Sequence, residues 1–159
     1  MRATGYYTHA LCAKHDMGEG HPECPQRLGA IWDRLLATGV ADALRVHEAP
    51  AADQPDLRRA HDGLLLSSLE ALCQQVADGR EAGGPAHLAI DADTAVNAYT
   101  WQAALRAAGA VVAATDAVLD GQLEKRLLRG PTARSPRLPL ASHGLLRHQQ
   151  RRGGGAARA

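Results

Sequence analysis

Between Gly18 and Leu28 the chain reads Gly-Glu-Gly-His-Pro-Glu-Cys-Pro-Gln-Arg-Leu. Two glycines open backbone angles that other residues avoid, and two prolines fix φ and remove donors. The stretch therefore forms a rigid, shaped loop, with Pro25 suited to the first turn of a following helix. An apolar, aromatic-bearing run from Gly5 to Leu11 precedes it, and an amphipathic run from Leu28 to Leu36 follows it. Strand, stiff loop and helix are thus laid out in order. His21, Glu23, Cys24 and Arg27 crowd into the loop, where a scaffold commonly carries function. Taken alone, the stretch favours the plainer reading, a well-made turn whose polar groups only cap the next helix.

The pattern continues in alternation. Leu28, Ile31, Trp32 and Leu35 fall on one helical face, and Gly39 is placed to end that helix. Ala43 to Ala49 alternates as a second strand. Asp53 and Pro55 begin a short helix running to about His61. Asp62 caps a longer helix with a stripe of Leu65, Leu69, Leu72, Cys73 and Val76. Gly79 to Pro85 is a loop by composition. From Asn97 or Thr100 a strong helix runs with Trp101, Ala104, Leu105, Ala108, Val112, Thr115 and Leu119 on a continuous face. Two strands separated by helical patterns point to an α/β fold. The core must be built from Ala, Leu and Val, because aromatic residues make up 3% and Phe is absent. No run approaches a membrane span, and no basic-then-apolar leader is present, so a cytoplasmic location is expected and no membrane partner. Cys12, Cys24 and Cys73 lack paired spacing and read as plain thiols.

Charge divides the chain sharply. All 17 acidic residues lie at or before Glu124 together with nine of the 18 basic ones, a balance of −8, and from Lys125 onward nine basic residues and no acid give +9. Lys125 to Ala159 holds three prolines, five glycines, no aromatic and no apolar stripe. Such a segment does not bury enough surface to offset its ordering entropy. The expected division is 1–124 as a folded portion and 125–159 as a basic disordered tail.

Tyr6-Tyr7, then His15, then Gly-Glu-Gly-His-Pro-Glu-x-Pro-x-Arg-Leu resembles the opening of the zinc-dependent histone deacetylase superfamily. The nearer likeness is to its bacterial class II-like and acetylpolyamine amidohydrolase branch. Ala60-His61-Asp62 with Ser68 to Leu72, then Ile90 to Thr94, then Trp101 to Ala110 continue the series in order, covering roughly Thr4 to Glu124. One departure is Leu64-Leu65-Leu66, where the family usually has an aromatic a few residues after the His-Asp pair.

The resemblance implies the N-terminal part of the three-layer αβα arginase-deacetylase fold, with an incomplete parallel sheet. It implies zinc-dependent hydrolysis of an acetamide on acetyl-lysine or an acetylated polyamine. In that chemistry two aspartates and a histidine hold zinc, whose water is made nucleophilic near neutrality. Paired histidines act as general acid and base, and a distant tyrosine polarises the carbonyl. All of those positions lie beyond Glu124, so no catalytic residue and no metal ligand is expected here, and zinc belongs to the full-length family rather than to this chain. His143 and His148 lack a nearby carboxylate or thiol and receive no role.

What the resemblance leaves is rim and channel. Arg27 matches the arginine of an internal channel, where a guanidinium fork suits product acetate; the plainer reading is a surface arginine in a first helical turn. His21, Pro22 and Glu23 match the loop at the pocket mouth. Asp91 or Asp93 matches the rim carboxylate that grips the substrate backbone, with a turn cap as the plainer reading. His9, His15, His47, His61 and His87 read as structural or exposed.

The family continues after the Trp101 helix with a buried strand close to N-A-F-C-A-V-R-P-P-G-H-H-A. Lys125 to Pro136, back-translated with GC-rich codons and read in the neighbouring frame, is compatible with that strand. His143 to Arg158 is compatible with the next family stretch. A one-base insertion at the Lys125 codon accounts for both, and makes the tail an out-of-frame translation. The rival class is a small non-catalytic binding protein whose basic tail neutralises phosphates. Nucleic acid is not expected as the partner, because the tail offers no aromatic for base stacking. A non-catalytic remnant is a third reading. With only two strands, Trp32, Trp101 and the helix leucines are expected to lie exposed and to promote aggregation.

Overall fold

The computed structural model describes residues 4–123 and 125–128. Strand β1 (Thr4–Thr8) is followed by a 3-10 turn (Ala10–Lys14), the motif loop and helix α1 (Gln26–Ala37). A 3-10 turn (Val40–Ala43) leads into β2 (Leu44–Glu48). Helices α2 (Gln54–Ala60) and α3 (Gly63–Glu81) come next, then β3 (His87–Ala89), β4 (Ala95–Asn97), α4 (Thr100–Leu119) and β5 (Lys125–Leu128).

β1 is the centre of a parallel sheet of order β2-β1-β5, with Tyr6 opposite Val46 on one side and Leu127 on the other. Neighbouring side chains on a strand point to opposite faces. Tyr6 accordingly stacks on Trp32 of α1 with ring centroids 5.2 Å apart, while Tyr7 stacks on His47 and joins Ala110, Ala114 and Leu123 beneath α4. Helices on both faces of a parallel sheet make the αβα layering expected from the sequence. A second core gathers Leu57, Leu66, Leu69, Cys73, Val76, Val96 and Trp101 between α2, α3, β4 and α4.

Several expectations are corrected. Among the described residues five strands form, not two: β3 and β4 make an antiparallel hairpin, and β5 occupies the first four residues assigned to the disordered tail. Residues 129–159, which hold the rest of that tail with His143 and His148, lie outside the described residues. Trp101 is 6% exposed because α3 and the hairpin cover it, and replacing such a buried ring by Ala costs about 3–5 kcal/mol. Trp32 is half-buried on Tyr6. α1 buries only Leu28 completely and leaves Ile31 43% exposed, since the sheet beneath it ends at β2, where Val46 is itself open. On α3 the buried stripe begins at Leu66 rather than Leu65, one residue out of phase within three successive leucines. α4, at 20 residues and mean hydropathy 1.2, is long and apolar enough by length and composition to cross a membrane, contrary to the expectation that no run is. Its Ala-rich face is used here against β1, the first 3-10 turn and the 49–52 segment.

That last contact is close. Ala52 donates its backbone N–H to the Leu105 carbonyl at 2.9 Å, and Arg106 Nη1 donates to the Ala49 carbonyl at 3.0 Å. A Cβ on Gly109 would meet the Pro50 carbonyl oxygen, with Ala52 N at 2.7 Å and Ala51 C at 2.8 Å. These are backbone atoms that have no rotamer to change. Gly109→Ala is therefore expected to destabilise the fold by about 2–3 kcal/mol through overpacking. Gly29→Ala, inside α1 with nothing within 4 Å of the new methyl, should instead stabilise it by about 0.5–1 kcal/mol. Urea midpoints of the two variants check the pair; equal midpoints would contradict the close crossing.

Candidate functional site

The carboxyl end of β1 leads through the Ala10–Lys14 3-10 turn into the motif loop, and in open α/β sheets ligands bind outside the carboxyl ends of the strands. His9 begins the connection. Its Nδ1 accepts from Leu11 N at 3.0 Å, which leaves the neutral ring's proton on Nε2, 3.2 Å from Glu48 Oε1 at the end of β2. The carboxyl ends of the two strands are thereby joined.

The loop itself is shaped as its composition dictates. Gly18 and Gly20 have φ of 106° and 77°, a region that disfavours side chains. Asp16 Oδ1 accepts from Gly18 N at 2.7 Å, and His21 N donates to the Gly18 carbonyl at 3.3 Å. His21 Nδ1 accepts from Glu23 N at 3.0 Å, so His21 fixes the turn that presents Pro22 and Glu23. Arg27 stands in the first turn of α1 with its side chain 44% exposed, and Nη1 is 4.0 Å from Glu23 Oε1. Both readings of Arg27 share this position in the first helical turn.

Asp91 and Asp93 occupy the β3–β4 turn. Ile90 N and Asp91 N both donate to the Thr94 carbonyl, and Asp91 Oδ1 accepts from Asp93 N at 2.7 Å. Asp91 is thus the turn cap, yet its other oxygen, Oδ2, is buried without a hydrogen-bond partner among the described residues. Asp93 is exposed. The two differ in exposure: Asp91 has a buried carboxylate oxygen without a hydrogen-bond partner among the described residues, whereas Asp93 stands open to solvent in the same turn.

Loop and hairpin are brought together by groups to which the sequence assigned no function. His15 is 6% exposed, and its Nδ1 lies 2.9 Å from Thr100 Oγ1. Thr100 Oγ1 accepts from Asn97 N at 2.9 Å and lies 3.2 Å from Asn97 Oδ1, which also accepts from Tyr99 N. Asn97 Nδ2 donates to the Lys14 carbonyl at 2.8 Å. His87 Nε2 on β3 is 3.8 Å from Asp16 Oδ2. The spacing Asn97-x-x-Thr100 at a helix start is a capping signal, but nothing local in it points to a histidine more than eighty positions away.

Metal binding is not supported by these groups. Among the described residues no set of three His, Cys, Asp or Glu is arranged to hold a metal ion, so zinc does not fit the residues described.

A profile of the histone deacetylase domain matches residues 21–133. The chain belongs to the histone deacetylase family. Histone deacetylase 5 of Arabidopsis thaliana is 30% identical over 120 residues, covering 74% of this chain and 18% of the relative. A histone deacetylase-like amidohydrolase of Pseudomonas aeruginosa is 26% identical over 140 residues, 77% of this chain and 34% of that protein. The crystal structure of the HDA15 HD domain superposes with a TM-score of 0.66 at 22% identity, covering 79% of this chain and 34% of that one. This deacetylase-family chain therefore spans about a third or less of the relatives it matches. Its α/β fold is the N-terminal part of the deacetylase domain. The family match also runs nine residues past Glu124, beyond the point assigned to the frame change.

Burial holds the His15 imidazole below its ordinary value of 6.5, against the opposing pull of Glu23 and Asp16. An unfolded His15 takes its proton near 6.5, whereas the folded one resists until lower pH. Stability from this group is thus complete above 6.5 and is lost as the pH falls from there through the folded value. Urea midpoints at neutral and mildly acid pH should fall for the wild type and fall less for His15→Gln; equal losses would contradict the assignment.

Proposed function

We propose that this chain forms the rim of the substrate pocket in a zinc-dependent acetamide hydrolase acting on acetyl-lysine or an acetylated polyamine, and that it does not perform the hydrolysis by itself. The observation that carries the reading is that the two family motifs share one anchor: Lys14 and His15, which lead into the His21-Pro22-Glu23 loop, are bonded to Asn97 and Thr100 at the foot of the hairpin whose turn holds Asp91 and Asp93. A rim needs shape and a fixed acceptor. The loop supplies shape through Gly18, Gly20 and Pro22. The Asp91 carboxylate, fixed by the turn, supplies an acceptor suited to a substrate backbone amide once the turn shifts enough to uncover its buried Oδ2. Arg27, by the same reading, contributes a guanidinium for acetate once the remainder of the domain covers its exposed side.

The chemistry requires groups that the resemblance places beyond Glu124. Zinc, when bound, polarises the acetamide carbonyl and activates water; the described residues bind and orient the substrate. The same proposal includes the change of reading frame near the Lys125 codon, which separates this rim from the family's catalytic histidines.

The purified 159-residue chain is expected to take up no stoichiometric zinc and to hydrolyse neither acetyl-lysine peptides nor acetylpolyamines. Removing one base at the Lys125 codon, with the downstream gene present, should restore both. Stoichiometric zinc with turnover in the chain as written would contradict the proposal.

A further inference from the structure

His15, Asn97 and Thr100 are 6%, 4% and 3% exposed, and they form a closed polar network inside the junction of loop, hairpin and α4. We propose that these three are positioning residues for the pocket rim: they hold the Asp16–Cys24 loop and the β3–β4 hairpin in one fixed relation, and protonation of His15 releases it. The proposal takes its functional meaning from the rim reading above, but the coupling it describes stands on the geometry alone.

Three observations carry it. First, the network joins distant parts of the chain. The His15–Thr100 bond spans 85 positions and the Asn97–Lys14 bond 83, so each holds the start of the loop against the base of the hairpin. Second, Asn97 is fully engaged. Its side-chain oxygen faces Tyr99 N and the Thr100 hydroxyl, while its backbone N–H and side-chain NH2 find Thr100 Oγ1 and Lys14 O. A satisfied buried network specifies one arrangement, because each member that moves leaves another without a partner. Third, the ion pair between loop and hairpin, His87 with Asp16, is slack. His87 and Asp16 are 3.8 Å apart with side chains 31% and 43% exposed, where an ion pair contributes little.

The charges around His15 give the release its direction. Glu23 and Asp16 on the loop favour an imidazolium, whereas His21 on the loop and His87 on β3 oppose it. Lys14 of the 3-10 turn, with Nζ over the Tyr99 ring at 5.0 Å, adds a further cation nearby. The α4 side offers only the hydroxyl of Thr100 and the Tyr99 ring, with no carboxylate to neutralise a buried imidazolium. The hydrogen bond to Thr100 survives in either protonation state, since Nδ1 and the hydroxyl each donate or accept. What changes is the cost of keeping charge away from water, and the loop relieves it by opening.

The full chain, labelled with 15N, tests this by NMR between neutral and mildly acid pH. The backbone amides of Gly18–Glu23 and of Asp91–Thr94 are expected to titrate together with the His15 ring, at one midpoint below 6.5. At neutral pH, Thr100→Val should raise amide exchange in both segments roughly tenfold or more, the factor for losing one buried hydrogen bond, with Thr100→Ser restoring it. A His15 ring that titrates while either segment stays unmoved would overturn the proposal, as would a Thr100→Val increase that is equal throughout α3. If Thr100→Val does not fold, the wild-type titration decides alone. An acetyl-lysine peptide added to the same samples separates the two readings: absence of any shift at Glu23 or Asp91 counts against the rim assignment, while the shared titration stands or falls independently.

Discussion

The passage of the 49–52 segment across α4 is the constraint on which the rest of the structure depends. Ala49 donates to Thr8 at the end of β1, Arg106 donates to the Ala49 carbonyl, and Ala52 donates to the Leu105 carbonyl. Only a residue without a side chain fits at the crossing, and Gly109 fills it. The sheet edge is thereby fixed against one turn of α4. From that turn, the helix geometry determines where both of its ends fall. Toward its C-terminus Ala110 and Ala114 pack with Tyr7 and Leu123. Toward its N-terminus Ala103 meets Cys12, and Thr100 meets His15.

The candidate site follows from this placement rather than from its own contacts. The motif loop is stiff because of its glycines and prolines, but stiffness does not give it an orientation. Orientation comes from the anchor at Lys14 and His15, which exists only because α4 and β4 stand where the crossing puts them. His87 Nε2 lies 3.8 Å from Asp16 Oδ2 and Arg27 Nη1 4.0 Å from Glu23 Oε1, and partly exposed pairs of this kind adjust to a geometry set elsewhere. A rim of this construction combines exposed groups on its surface with a dry polar joint beneath.

The sequence revealed the parts of this arrangement that have a period or a cap. Asp53 and Asp62 accept from Asp56 N and Leu64 N as their positions before apolar runs require. The long faces of α3 and α4 were legible because they repeat over several turns, although three successive leucines hid the phase at the start of α3. β3 and β4 were not legible. At three residues each they are too short to alternate, and their connecting Asp-Ala-Asp reads as a turn with nothing to announce the strands around it. β5 was obscured by its charge: Lys125 and Arg126 belong to a strongly basic run, yet backbone pairing with β1 makes no demand on side-chain polarity at a sheet edge. The family motifs located the loop and the hairpin turn as candidates. They did not show that His15, filed with the unassigned histidines, is the joint between them, because that role arises only from residues more than eighty positions apart.

Amide hydrogen exchange at Ala52 tests the account most directly. Ala52 lies in neither a helix nor a strand, so its N–H is protected only if the 49–52 segment crosses α4 at Gly109 and donates to Leu105. The structure predicts exchange as slow as that of the buried α4 amides near Ala110 and Ala114. Exchange at the rate of an open turn amide such as that of Ala92 would contradict it, and the placement of α4, the hairpin and the loop would have to be abandoned together.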